Sequence, residues 1–190
     1  MKNFKEYAAP TVVLVIICVV AAFLLAITND VTAPKIEQVN ADNEAKARQV
    51  VFASAASFGE ETIIENKEIS ENEIKLVPAY DANNETVGYV VITVEKGYGG
   101  AISVMTGVDL EGKVTGVNIL SMSETPGLGA NATKKSFLQQ FVGKIAGIGV
   151  TKDTPAENDI KALTGATITS KAVAAAVNAA IEAMGGENIG

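Results

Sequence analysis

The alternation of apolar and polar positions divides the chain into two regimes. Between Glu6 and Asp30 no residue is charged, a run of 23 residues with Val, Leu, Ile and Phe at its centre. A helix crossing a bilayer needs about 20 such residues. The pattern therefore predicts a transmembrane helix over 7–29, behind a short N-terminus of residues 1–6. Lys2 and Lys5 precede the run and Asp30 follows it, so the basic side stays in the cytoplasm and the rest of the chain lies outside. A cleaved signal peptide fits less well, because its apolar core is shorter and Val31-Thr32-Ala33 is followed by Pro34. Lipidation of Cys18 would call for a small residue before it, where Ile17 stands.

After the span the period changes. Thr32-Ala33-Pro34 suits a helix start. Residues 35–56 contain no Gly or Pro, and Ile36, Val39, Ala47, Val50, Val51 and Ala55 form a partial stripe at helical spacing. The expectation over 30–73 is a juxtamembrane helix, broken near Asn40 and ended by Phe58-Gly59, then an acidic linker from Glu60 to Glu73. Ile63, Ile64 and Ile69 are apolar anchors in that linker, whose pattern assigns no element. From Ile74 the chain reads as strands: Ile74–Tyr80, Val87–Val94, Ile102–Val108 and Val114–Leu120, separated by the turn-forming Asp81–Asn84, Gly97–Gly100 and Asp109–Lys113. Phe137, Leu138 and Phe141 suggest a short core helix within 133–141, and 144–159 reads as a Gly-rich loop or short strand. A last helix is expected from about Ser170 to Met184, with Val173, Val177, Ile181 and Met184 on one side and Gly185-Gly186 stopping it. The fold class is α+β: an N-terminal transmembrane helix, then a domain over 74–190 with an antiparallel sheet and packed helices.

Composition narrows the chemistry. The net charge is -7, which speaks against a nucleic-acid partner. There is no histidine and a single cysteine, inside the apolar run. Histidine-ligated zinc, a cysteine-ligated iron–sulfur cluster and a histidine general base are all excluded, so no metal site and no catalytic side chain is assigned. Redox chemistry here would need an organic cofactor.

The stretch Leu163-Thr164-Gly165-Ala166-Thr167-Ile168-Thr169-Ser170 concentrates hydroxyls just ahead of the last helix. Two readings apply: a helix cap, or an anion site built from the free N–H groups and dipole of a helix start. Upstream, Glu124-Thr125-Pro126-Gly127-Leu128-Gly129 is a sharp loop whose backbone can approach a ligand closely.

Together with Gly97-Tyr98-Gly99-Gly100-Ala101-Ile102, these segments resemble the FMN-binding domain shared by the G subunit of the Rnf electron-transport complex and the C subunit of the sodium-pumping NADH:quinone reductase. The resemblance covers about residues 30–186 and includes the single N-terminal span; the short chain is more similar to the Rnf protein. It implies FMN attached covalently through a phosphoester to Thr167, placed there by a separate flavin transferase with FAD as donor. Thr164, Gly165, Ala166, Ile168 and Thr169 surround that position, and Glu124, Thr125, Gly127, Leu128 and Gly129 form an opposing wall. Tyr98, Gly99 and Gly100 supply the third segment. Leu128 and Ile168 are candidates for an apolar face on the isoalloxazine, and Glu124 and Thr125 for its polar edge; taken singly, packing and loop solvation account for each equally well. Two positions depart from the family pattern: Lys161 stands where an Asp is common, and Met122 where a His is common. The implied function is a redox subunit of an ion-translocating oxidoreductase, a translocase not catalytic alone. It would sit in the cell (inner) membrane with other subunits of an Rnf-type complex, coupling electron transfer between ferredoxin and NAD to ion translocation. Alternatives are the C-type subunit of the quinone reductase and a non-redox, membrane-tethered binding module.

Overall fold

The computed structural model describes residues 2–64, 69 and 72–186. Contacts group the chain into two units, Met1–Asn43 and Glu44–Gly190. Helix α1 (Lys2–Val51) supplies all the described residues of the first and continues into the second. In the first unit the large apolar side chains from Val12 to Ile27 are 46–71% exposed. With a mean hydropathy of 3.1 in its most apolar window, this helix is long and apolar enough to cross a membrane. The break expected near Asn40 is absent, since α1 runs unbroken to Val51. Asn40, Asp42 and Asn43 each cost only a fraction of a kcal/mol in a helix, and Ala41 and the run Glu44-Ala45-Lys46-Ala47 are good helix formers. The helix stops at Val51, ahead of the Phe58-Gly59 end read from sequence, because Phe52 and Ala55 turn into the core. Thr115 Oγ1 donates to Val51 O at 2.6 Å, satisfying one of the carbonyls a helix end leaves open.

The second unit is built on an antiparallel sheet of β1 (Ser57–Phe58), β2 (Thr62–Ile64), β3 (Ile74–Tyr80), β4 (Thr86–Lys96), β5 (Ala101–Asp109) and β6 (Val114–Ser121). The order is β1-β3-β4-β5-β6, with β2 also paired to β3. The meander expected from residue 74 is present. The acidic stretch, to which the pattern assigns no element, contributes β2, and Ile69 packs beside Ile74, Leu76 and Val91; the rest of that stretch from Glu65 to Glu71 lies outside the described residues. Two tight turns are closed alike. Asp81 Oδ1 accepts from Asn83 N (2.8 Å) and Glu85 N (2.9 Å), and Asp109 Oδ1 from Glu111 N (3.1 Å) and Lys113 N (2.8 Å).

Alternation along the strands fills both faces. Val90, Ile92 and Met105 join Ala47, Val51 and Phe52 on one side. Ile102, Val104 and Val108 meet Val173, Val177 and Ile181 of α3 (Thr167–Gly186) on the other. Between β6 and α3 the chain makes a 3-10 turn over Gly129–Thr133, the one-turn helix α2 (Lys135–Leu138) and a second 3-10 turn over Gln139–Phe141. Phe137 and Phe141 bury edge to face there, with ring centroids 5.6 Å apart. The Gly-rich stretch then forms β7 (Gly149–Thr151), paired in parallel with β8 (Asp159–Lys161).

Candidate functional site

A cavity of about 720 Å³ opens where the β4–β5 turn, the loop after β6, the β7–β8 ribbon and the start of α3 meet. Its lining includes Tyr98, Glu124, Thr125, Leu128, Gly129 and the whole stretch Lys161–Thr169. The three sequence motifs therefore share one wall system. Gly99, Gly100 and Gly127 stand outside the lining; Gly99 acts from behind, through its amide. Lys152 and Ala162 join it without having been singled out. The local signal for Lys152 is weak, because it lies just past a three-residue strand whose partner is ten residues away.

Helix α3 begins at Thr167, three residues ahead of the start read from sequence. The hydroxyl pattern assigns the cap to Thr169 or Ser170, as hydroxyls favour that place. Instead the chain turns at Gly165, whose φ of +75° is costly for residues with a Cβ. Ser170 sits inside the helix: its hydroxyl donates back to Ala166 O (2.9 Å) and accepts from Leu163 N (2.9 Å). The first bond along the helix joins Ser170 N to Ala166 O at 3.0 Å. The amides of Thr167, Ile168 and Thr169 precede it and have no intrahelical acceptor. Thr167 is half-buried on the cavity wall in this first turn.

Glu124 joins the three segments. Its Oε1 accepts from Gly99 N–H (2.9 Å), and its Oε2 accepts from Thr169 Oγ1 (2.8 Å). A Cβ at Gly97 would collide with Oε1, and one at Gly129 with Oε2. The side chain is 8% exposed. It is thus a wall component whose two oxygens are held by protein donors. Around the mouth stand exposed apolar side chains from separate segments, Tyr98, Leu128 and Ile168. Lys152 and Lys161 add exposed positive charge, and neither forms an ion pair among the described residues. No cluster of acidic or thiol side chains fit to hold a metal occurs among the described residues.

The cavity falls within the usual range for a small-molecule or cofactor site. It offers apolar lips for a flat ring, unpaired helix-start amides and two ammonium groups for an anion, and a threonine hydroxyl in the first helical turn. Residues 97–182, which contain all three motifs, match the FMN-binding domain family. The G subunit of the Na+-translocating ferredoxin:NAD+ oxidoreductase complex of Acetobacterium woodii is 41% identical over 182 residues, covering 90% of this chain and 87% of that protein. The chain belongs to the G-subunit family of ion-translocating oxidoreductase complexes. A second member, the G subunit of the proton-translocating ferredoxin:NAD+ oxidoreductase complex of Clostridium ljungdahlii, is 38% identical, with 95% of this chain and 93% of that protein covered. The family fold extends further: the C subunit of the Na+-translocating NADH-quinone reductase of Parabacteroides distasonis superposes with a TM-score of 0.58. That match covers 80% of this chain and 97% of the other at 19% identity, a likeness of fold alone.

Proposed function

We propose that the cavity holds FMN, joined through its phosphate to Thr167, and that the chain is the flavin-bearing electron carrier of an Rnf-type membrane complex. One observation carries the reading. Segments far apart in sequence, matched by the FMN-binding family, converge on a single cavity whose wall includes a threonine hydroxyl at a helix start. Thr164, Gly165, Ala166 and the amides from Thr167 to Thr169 would surround the phosphate, with Lys152 and Lys161 nearby. The negative phosphodiester gains from the helix dipole, about 0.3–1 kcal/mol at an exposed site. Leu128, Ile168 and Tyr98 would cover the ring. The bound group supplies the electron chemistry, and the chain's residues position it. Attachment by a flavin transferase would form the Thr167 Oγ1–P bond, break the pyrophosphate of FAD and release AMP.

The names of the relatives support the wider setting, electron transfer between ferredoxin and NAD+ coupled to ion movement. The chain has no cysteine set for a cluster, so the catalytic ends of that path belong to other subunits. Lys2 and Lys5 favour a cytoplasmic N-terminus and an extracytoplasmic second unit. A role in the quinone reductase is the weaker reading, because that relative shares only the fold. Intact mass of the full chain, co-expressed with a flavin transferase, tests the attachment. The parent gains one FMN adduct and Thr167→Ala gains none; an adduct retained on the variant rejects Thr167. A parent colourless after such co-expression, with no in-gel flavin fluorescence, would instead favour a non-redox binding module.

A further inference from the structure

We infer that Glu124 sets the reduction potential of the flavin, its fixed negative charge holding the potential low. The inference rests on the FMN reading above. Among the described residues that line the cavity Glu124 is the sole carboxylate. It is 8% exposed, whereas Lys152 and Lys161 are open to solvent. Charge in a poorly solvated wall acts on a neighbour far more strongly than charge in water, where screening is heavy. The carboxylate also cannot turn away. Gly99 N–H and Thr169 Oγ1 hold its two oxygens at 2.9 and 2.8 Å, and the missing Cβ atoms of Gly97 and Gly129 leave just the space it fills. The two donors pin both oxygens, so the carboxylate presents an occupant with a charge in a fixed place. Electrons added to the ring meet that charge and are disfavoured. Thr169 moderates the effect, because its hydroxyl draws on the same carboxylate.

The test uses the full chain, flavinylated by co-expression and purified in detergent, with midpoint potentials read by spectroelectrochemistry. Glu124→Gln keeps the shape and removes the charge. It should shift the two-electron reduction equilibrium toward the reduced form by roughly tenfold or more, a rise of about 30 mV. Thr169→Val removes the donor and leaves the charge less compensated, so its midpoint should fall. Lys161→Gln should shift the midpoint by less, and the shift should vanish at high salt. A merely structural role for Glu124 would loosen the wall in both of the first two variants and move them the same way; opposite signs are the signature of charge. An unmoved midpoint in flavin-loaded Glu124→Gln overturns the inference, as does a rise or no change in Thr169→Val. If Glu124→Gln does not accumulate, Thr169→Val decides by the same rule. A parent chain without flavin overturns the cofactor reading as well, whereas a loaded parent with unmoved variants overturns this inference alone.

Discussion

The first unit's part of α1 and helix α3 are both rich in apolar residues, yet their surroundings are opposite. From Val12 to Ile27 the large side chains of α1 are about half exposed or more all round. In α3, between Lys171 and Glu182, only Lys171, Ala175 and Glu182 are exposed. Side-chain size separates them. α1 carries Val, Ile, Leu and Phe, which a lipid phase accepts on every side. α3 carries Ala172, Ala174, Ala176, Ala179, Ala180 and Ala183 between its Val and Ile residues, all buried. Small residues let a helix backbone approach a twisted sheet closely. Hydropathy separates them as well: among the described residues only α1 is long and apolar enough to cross a membrane.

Charge inserted into each helix tests that contrast most sharply. Val177→Asp places an unpaired carboxylate at a position with no exposure; it should destabilise the second unit by about 4 kcal/mol or more and abolish cooperative urea unfolding. Val19→Asp should leave the melting transition of that unit in place and cost roughly 2.5–3.5 kcal/mol in membrane insertion, read as protein lost from the carbonate-resistant membrane fraction. Equal effects of the two on unfolding would erase the distinction. A smaller effect is expected where α3 is tied to the sheet by a polar bond. Thr93 Oγ1 donates to Ala176 O at 2.9 Å, both residues buried. Thr93→Val should lower stability by about 0.5–1.5 kcal/mol in urea titration.

The smallest effect belongs to the exposed polar surface. Glu61, hydrogen-bonded to Lys75 at 2.8 Å, holds that ammonium above the usual lysine range. A raised pKa in the folded state means stability that is fully present below the unfolded lysine value and lost as pH climbs through the folded one. Glu61→Gln should cost no more than about 1 kcal/mol at neutral pH. The gap between parent and variant should narrow in urea titrations at increasingly alkaline pH.

The sheet was legible because β-branched runs alternate with Asp-led turns, and each carries its own signal. Convergence of the motifs on one cavity was legible only through resemblance, because no local pattern places Tyr98 beside Leu128. Three features escaped for separate reasons. The start of α3 was misplaced because Ser170 bonds back from within the helix while Gly165 makes the turn. The β7–β8 pair is three residues long on each side and parallel, so it leaves no periodic trace. Glu124 reads as one polar residue in a loop; that its oxygens hold Gly99 and Thr169 depends on contacts across 25 and 45 residues of chain.

The position of α3 in chain order has a consequence for maturation. Every described strand precedes it, and Ile102, Val104 and Val108 lack their partners Val173, Val177 and Ile181 until α3 is made. Thr167 is the first residue of that late element. Its hydroxyl reaches its place on the cavity wall only when α3 docks, so the attachment proposed above would require this long-range packing first. An enzyme that recognises the folded surroundings of Thr167 would meet its substrate only in chains that have completed folding, and the cofactor would then report on fold quality.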